Sequence, residues 1–110
     1  MKELEQALAI FLEVLKASEA YQDYEYQKER VKRYAGLPEK INEFRKRRFE
    51  VQHYEGDDLF EKIDEFEQEY QNFEDEPIVR DYLAAELEIC RRIQEINAAI
   101  TGVGIELIQG

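Results

Sequence analysis

The chain has 110 residues, a formal net charge of −11 and 37% charged residues, so it is one acidic domain's worth of protein. Its 44% hydrophobic content is too high for a disordered chain. No stretch approaches the roughly 20 apolar residues of a membrane span, and the lone Cys90 excludes an intramolecular disulfide.

Helix formers dominate, with two prolines and five glycines as punctuation. The first predicted helix runs from about Lys2 to Ala17, with Leu4, Leu8, Phe11 and Leu15 at 4-3-4 spacing. Glu3, Glu5 and Glu13 interrupt that run, so it does not read as a secretory leader, and the cytoplasm is the expected compartment. Ser18 is a cap or break, since its hydroxyl can take a free amide at a helix start. A second helix over 19–35 places Tyr21, Tyr24, Lys28, Val31 and Ala35 on one face.

Gly36 and Pro38 together end that helix and open the next, because glycine accepts a left-handed turn and proline fits a first helical turn. The third helix, about 38–55, carries Ile41, Phe44, Phe49 and Val51 around a basic face, and Gly56 closes it. Asp58 and Glu61 make a capping-box pattern. It opens an acidic fourth helix over 58–76, where Leu59, Ile63, Phe66, Tyr70 and Phe73 repeat at 4-3-4-3. Asp75-Glu76-Pro77 marks the last junction. The fifth helix, about 78–101, has one stripe through Tyr82, Ala85, Ile89, Ile93, Ile96, Ile100 and Val103. A second stripe follows Val79, Leu83, Leu87 and Cys90, and Gly102 and Gly104 end the helix. Two stripes predict a central element packed on both sides, with Leu87, Cys90 and Ile93 in the core. No segment shows the period of two that a strand requires. The fold expected is all-α: an antiparallel bundle of about five helices around a long C-terminal helix, residues 1–110 forming a single domain.

Charge is segregated. Residues 50–76 hold twelve acids against Lys62 alone, whereas residues 28–48 hold nine bases against three acids. The basic run Arg45–Arg48, with Lys28, Arg30, Lys32 and Arg33, is the nucleic-acid candidate. Four consecutive helical residues splay around most of a turn, however, and the acidic segment beside them repels a polyanion. Charge pairing within the molecule or between subunits is the favoured reading, with a hairpin bringing Arg45–Arg48 to the fourth helix. His53 alone cannot build a metal site. The acidic segment lacks the glycine-centred loop of a calcium site, so it reads as a solvated face or a docking surface. P-loop, GxSxG, HExxH and CxxC motifs are absent from the sequence. No catalytic, cofactor-binding or metal-binding residue is therefore expected, and no cofactor.

The order of features resembles the YlbF/YmcA family of small helical bacterial proteins. The matching pieces are the N-terminal amphipathic helix ending in Ala17-Ser18 before Tyr21, and Ile41-x-x-Phe44-Arg45 running on to Gln52. Glu76-Pro77 then precedes Ala85-Glu86 and an Ile-rich helix with Gln94 and Ile96. The resemblance implies a non-enzymatic regulatory adaptor, acting with partner proteins in a complex that affects RNA maturation or developmental regulation. Relatives proposed to help hold iron–sulfur clusters have cysteine-rich C-terminal ends. This chain has only Cys90 where a cluster needs about four thiolates. The expected partners are a second copy, as a homodimer or higher oligomer, and other regulatory proteins. The alternative is an RNA-associated factor using 28–48; no membrane is expected.

Overall fold

The computed structural model describes the backbone of residues 1–109 and the side chains of residues 1–103. Five helices follow one another: α1 (Lys2–Ala17), α2 (Glu19–Lys32), α3 (Leu37–Gln52), α4 (Leu59–Glu69) and α5 (Pro77–Gln109). No strand occurs among the described residues, and the all-α expectation with its long C-terminal helix holds.

The junctions follow local chemistry. Ser18 stands in extended backbone (φ −66°, ψ 151°) between α1 and α2. Its hydroxyl donates to the Leu15 carbonyl at 2.6 Å and accepts the Tyr21 amide at 3.3 Å, so one side chain serves the end of α1 and the start of α2. Gln22 Nε2 adds a bond to the Lys16 carbonyl at 2.5 Å. Gly36 takes the left-handed φ of 80° that stops the chain before α3, and Pro38 lies in the first turn of that helix.

Helix ends differ from the sequence expectation: α2 and α3 stop early, at Lys32 and Gln52, and the last two helices differ more. The fourth helix stops at Glu69, with Tyr70 as its C-cap, and Asn72 turns the chain at φ 62°. Asparagine is among the few side chains that tolerate this region. The last turn of α4 also carries acids and no base, which sets negative charge against the negative end of the helix dipole. Phe73 thus reaches the core from a turn rather than from a continuing helical face. The fifth helix, conversely, does not stop at Gly102 and Gly104 but runs on to Gln109. A glycine in a helix interior costs about 1 kcal/mol, a penalty and not a terminator, and no proline follows to enforce a stop. At 1.5 Å per residue α5 is ~50 Å long.

The chain forms two compact units, with the divisions falling inside α2 and α5. In the unit Gln27–Tyr82 the buried side chains are Val31, Ile41, Phe44, Tyr70, Phe73 and Val79. Phe44 is its centre, 1% exposed, with ring centroids 5.6 Å from Phe66, 5.2 Å from Tyr70 and 5.4 Å from Phe73. These contacts join α3 to α4 and to the turn that follows it.

The other unit comprises residues 1–26 and α5 from Leu83 onward. Within it α5 contributes buried Ala85 and Ile89, whereas α1 buries none of its residues. The expectation of a doubly covered fifth helix fails here: Leu87 is 52% exposed, Ile93 is 40% exposed, and Cys90 is exposed as well. The stripes exist, but the chain supplies cover only near Val79, Ala85 and Ile89. Cys90 lies about 100° around the helix from buried Ile89, off the covered side.

The two kinds of apolar position should respond differently to substitution. Phe44→Ala is expected to lower the free energy of unfolding by ~3–5 kcal/mol, the cost of a large buried ring plus its cavity. Leu87→Ser is expected to stay within ~1 kcal/mol of the parent, in line with exposed positions. Equilibrium urea unfolding reads both, and a Leu87→Ser loss as large as that of Phe44→Ala would return α5 to the core.

Candidate functional site

The sequence singled out charge first. In the unit Gln27–Tyr82 the basic segment is spent largely on its own neighbours. Arg47 meets Glu69 at 2.8 Å and Arg48 meets Glu74 at 3.7 Å, so the expected hairpin pairing between α3 and the acidic segment is present. Arg30 reaches Asp81 at 3.5 Å. Arg48 also lies over Phe44 at 5.1 Å, and two more cations lie over aromatic rings, Lys40 over Phe73 at 4.8 Å and Arg45 over Tyr82 at 5.5 Å. The four paired side chains α3 and the segment 69–74 supply, Arg47, Arg48, Glu69 and Glu74, are 34–54% exposed. Such pairs are worth about 0–1 kcal/mol each and set register more than they hold the fold.

His53 caps the C-terminus of α3; its Nδ1 lies 2.9 Å from the Phe49 carbonyl and its ring stacks on Phe49 at 4.1 Å. Asp58 does not make the capping-box bond expected of it. Its carboxylate instead accepts the Tyr54 hydroxyl, and Gly56 lies beneath that tyrosine ring where a Cβ would collide with it. The bond holds the Asp58 carboxyl below its ordinary range and raises the Tyr54 hydroxyl. Burial raises the Tyr70 hydroxyl too, helped by the charges of Glu43 and Glu69. Among the described residues no group of three or more His, Cys, Asp or Glu is arranged to hold a metal ion. Likewise no described helix is long and apolar enough to cross a membrane.

The feature with the geometry of a binding site lies in the unit of α1, the first half of α2 and α5. An open groove of about 950 Å³ runs there between the α1–α2 junction and α5. Phe11, Val14 and Leu15 form one apolar wall, and Ile96 belongs to the opposite one. Glu19, Asp23, Glu88 and Arg92 stand along it. Arg92 is tied to its own helix by Glu88 at 2.9 Å and Glu95 at 3.6 Å. Outside the groove further apolar residues are exposed on both helices, Leu4 and Leu8 on α1 and Ile100 and Val103 on α5.

Sequence periodicity marked Phe11, Leu15 and Ile96 as apolar-face residues but did not bring them together. It did not single out Glu19, Asp23, Glu88 or Arg92. The available signal was the 88–92 spacing, which puts an acid and a base on one helical flank beside the Ile89–Ile96 stripe.

A family model described as control of competence regulator ComK, YlbF/YmcA, matches residues 2–103 of the chain. No curated protein and no solved structure matches it.

The Tyr54–Asp58 bond has a pH signature. Because the folded carboxyl titrates below its ordinary value of 3.8, its contribution is full above that value and is lost as pH falls through the lowered one. The Tyr54 contribution has the opposite sense, full below 10.0 and lost as pH rises through the raised value. In Tyr54→Phe the NMR-monitored titration of Asp58 is expected to move upward; an unchanged midpoint means the bond does not form in solution.

Proposed function

The chain belongs to the YlbF/YmcA family of competence regulators, and from that premise we propose that it is a non-enzymatic regulatory adaptor working through protein–protein contacts. The observation that carries the proposal is the apolar surface α1 and α5 leave uncovered. α1 is amphipathic yet buries none of its residues, and α5 continues that surface at Ile93, Ile100 and Val103. Contiguous exposed apolar surface on a small acidic protein is the mark of an interface. In this reading residues 1–110 act as one YlbF/YmcA-like domain in the cytoplasm. Its partners are a second copy and other regulatory proteins, and the complex affects RNA maturation or developmental regulation.

Self-association uses the outer ends of the surface, Leu4 and Leu8 on α1 and Ile100 and Val103 on α5. Apolar contact dominates there, and exposed ion pairs, being weak and screened, contribute register only. The basic segment supports the rival RNA-associated reading poorly, because Arg30, Arg47 and Arg48 already face carboxylates.

Sedimentation at micromolar concentration is expected to show a dimer or larger species that changes little between low and high salt. Leu8→Ser combined with Ile100→Ser is expected to shift it toward monomer while far-ultraviolet circular dichroism stays helical. The same double variant is expected not to restore regulation in cells that lack the native gene. A parent protein that remains monomeric throughout sinks the self-association, and a double variant that regulates normally sinks the adaptor reading.

A further inference from the structure

The groove between the α1–α2 junction and α5 is more specific than an uncovered apolar face. Its first wall offers Phe11, Val14, Leu15 and Ser18 at i, i+3, i+4 and i+7, and its second offers Glu88, Arg92 and Ile96 at i, i+4 and i+8. Both walls are therefore ridges of helical spacing, the relief into which the ridges of a third helix pack. The charged residues along it are three carboxylates, Glu19, Asp23 and Glu88, against the single guanidinium of Arg92. Arg92 in turn lies within ion-pair distance of Glu88 and of a further acid, Glu95, on its own helix. The groove is thus apolar along its walls and negative at its edges.

We infer that this groove takes one amphipathic helix of a partner protein, apolar along one face and carrying Lys or Arg on its flanks. The inference rests on the adaptor reading and names the chemistry of the partner. It also separates that partner from a second copy of this chain. α1 is an amphipathic helix with none of its residues buried, and it carries Glu3, Glu5 and Glu13 against Lys2 and Lys16. Seated in the groove it would bring carboxylates to carboxylates, whereas a basic-flanked helix meets the opposite sign. One-signed edges of this kind also steer encounter before contact.

The test uses the full chain and three labelled peptides of equal length: a Leu/Lys amphipathic helix, its Leu/Glu counterpart, and a Leu/Lys peptide of the same composition with its apolar face scrambled. Fluorescence anisotropy is expected to show the ordered Leu/Lys helix binding at least tenfold more tightly than either control. Val14→Ser with Ile96→Ser is expected to abolish that binding with helicity retained. Glu19→Lys with Glu88→Lys is expected to weaken it roughly fivefold or more, while Glu61→Lys with Glu67→Lys on α4, which changes net charge equally, leaves it within about twofold. If the two charge reversals weaken binding alike, attraction is to net charge and the inference falls. Equal binding of the Leu/Lys and Leu/Glu helices overturns the basic-flanked partner but leaves the adaptor reading standing. If no peptide binds and Val14→Ser with Ile96→Ser disperses a dimer, the groove is occupied by a second copy, which overturns this inference alone. Absence of both peptide binding and self-association overturns the inference, while the adaptor reading falls only if Leu8→Ser with Ile100→Ser regulates normally.

Discussion

The burial of one ring, Phe44, is the constraint on which the better-packed half of the molecule depends. It is met by Phe66, Tyr70 and Phe73 within 5.2–5.6 Å. Offset and tilted aromatic pairs of this kind add about 0.5–1.5 kcal/mol each beyond the area they bury. The cluster fixes where α4 lies, and Phe73 joins the same ring from the turn that Asn72 makes at φ 62°. Cations then close over it. Arg48 covers Phe44 and Lys40 covers Phe73, so basic side chains of the segment 28–48 shield aromatic faces as well as pairing with carboxylates.

Much of this was legible beforehand because it is written in local chemistry. Ser18, Gly36 and Pro38 mark helix boundaries by what their own atoms can do, and the structure uses them so. The hairpin between α3 and the acidic segment was legible from sign alone. What periodicity could not report is whether a stripe finds cover. Leu4, Leu8, Ile93 and Ile100 carry the same spacing signal as Ile41 and Phe44, yet the first group is exposed and the second buried. A repeat of 3.6 tells which residues share a face, and burial depends on what other elements bring to it. Cys90 was misplaced for that reason. The early end of α4 was hidden differently, since Phe73 keeps helical register with Tyr70 in sequence while reaching the core through a turn. The groove was legible only in fragments, because its two walls, residues 11–26 and 88–96, are far apart in the chain.

The division of charge takes on a different meaning once pairs are placed. Residues 50–76 carry the whole net charge in sequence, but Glu69 and Glu74 are partly neutralised by α3. The other unit has its own acidic feature along an apolar groove, where carboxylates outnumber the guanidinium three to one. Dense packing and exposed apolar surface thus fall on different parts of the chain. The aromatic cluster with its cationic lids builds a scaffold, and the less covered helices present surface.

The exposure of α1 has a consequence for its own order. A helix of 16 residues standing alone in water is marginal even with good formers, because nucleation is costly and propagation gains little per residue. α1 has acids in its first turn, Lys16 in its last and the double bond of Ser18 at its end, but no buried side chain to add to them. Its further stability has to come from whatever settles on it, by mass action, growing with the logarithm of that molecule's concentration over its dissociation constant. Cover over α1 and the stability of α1 are in this way coupled.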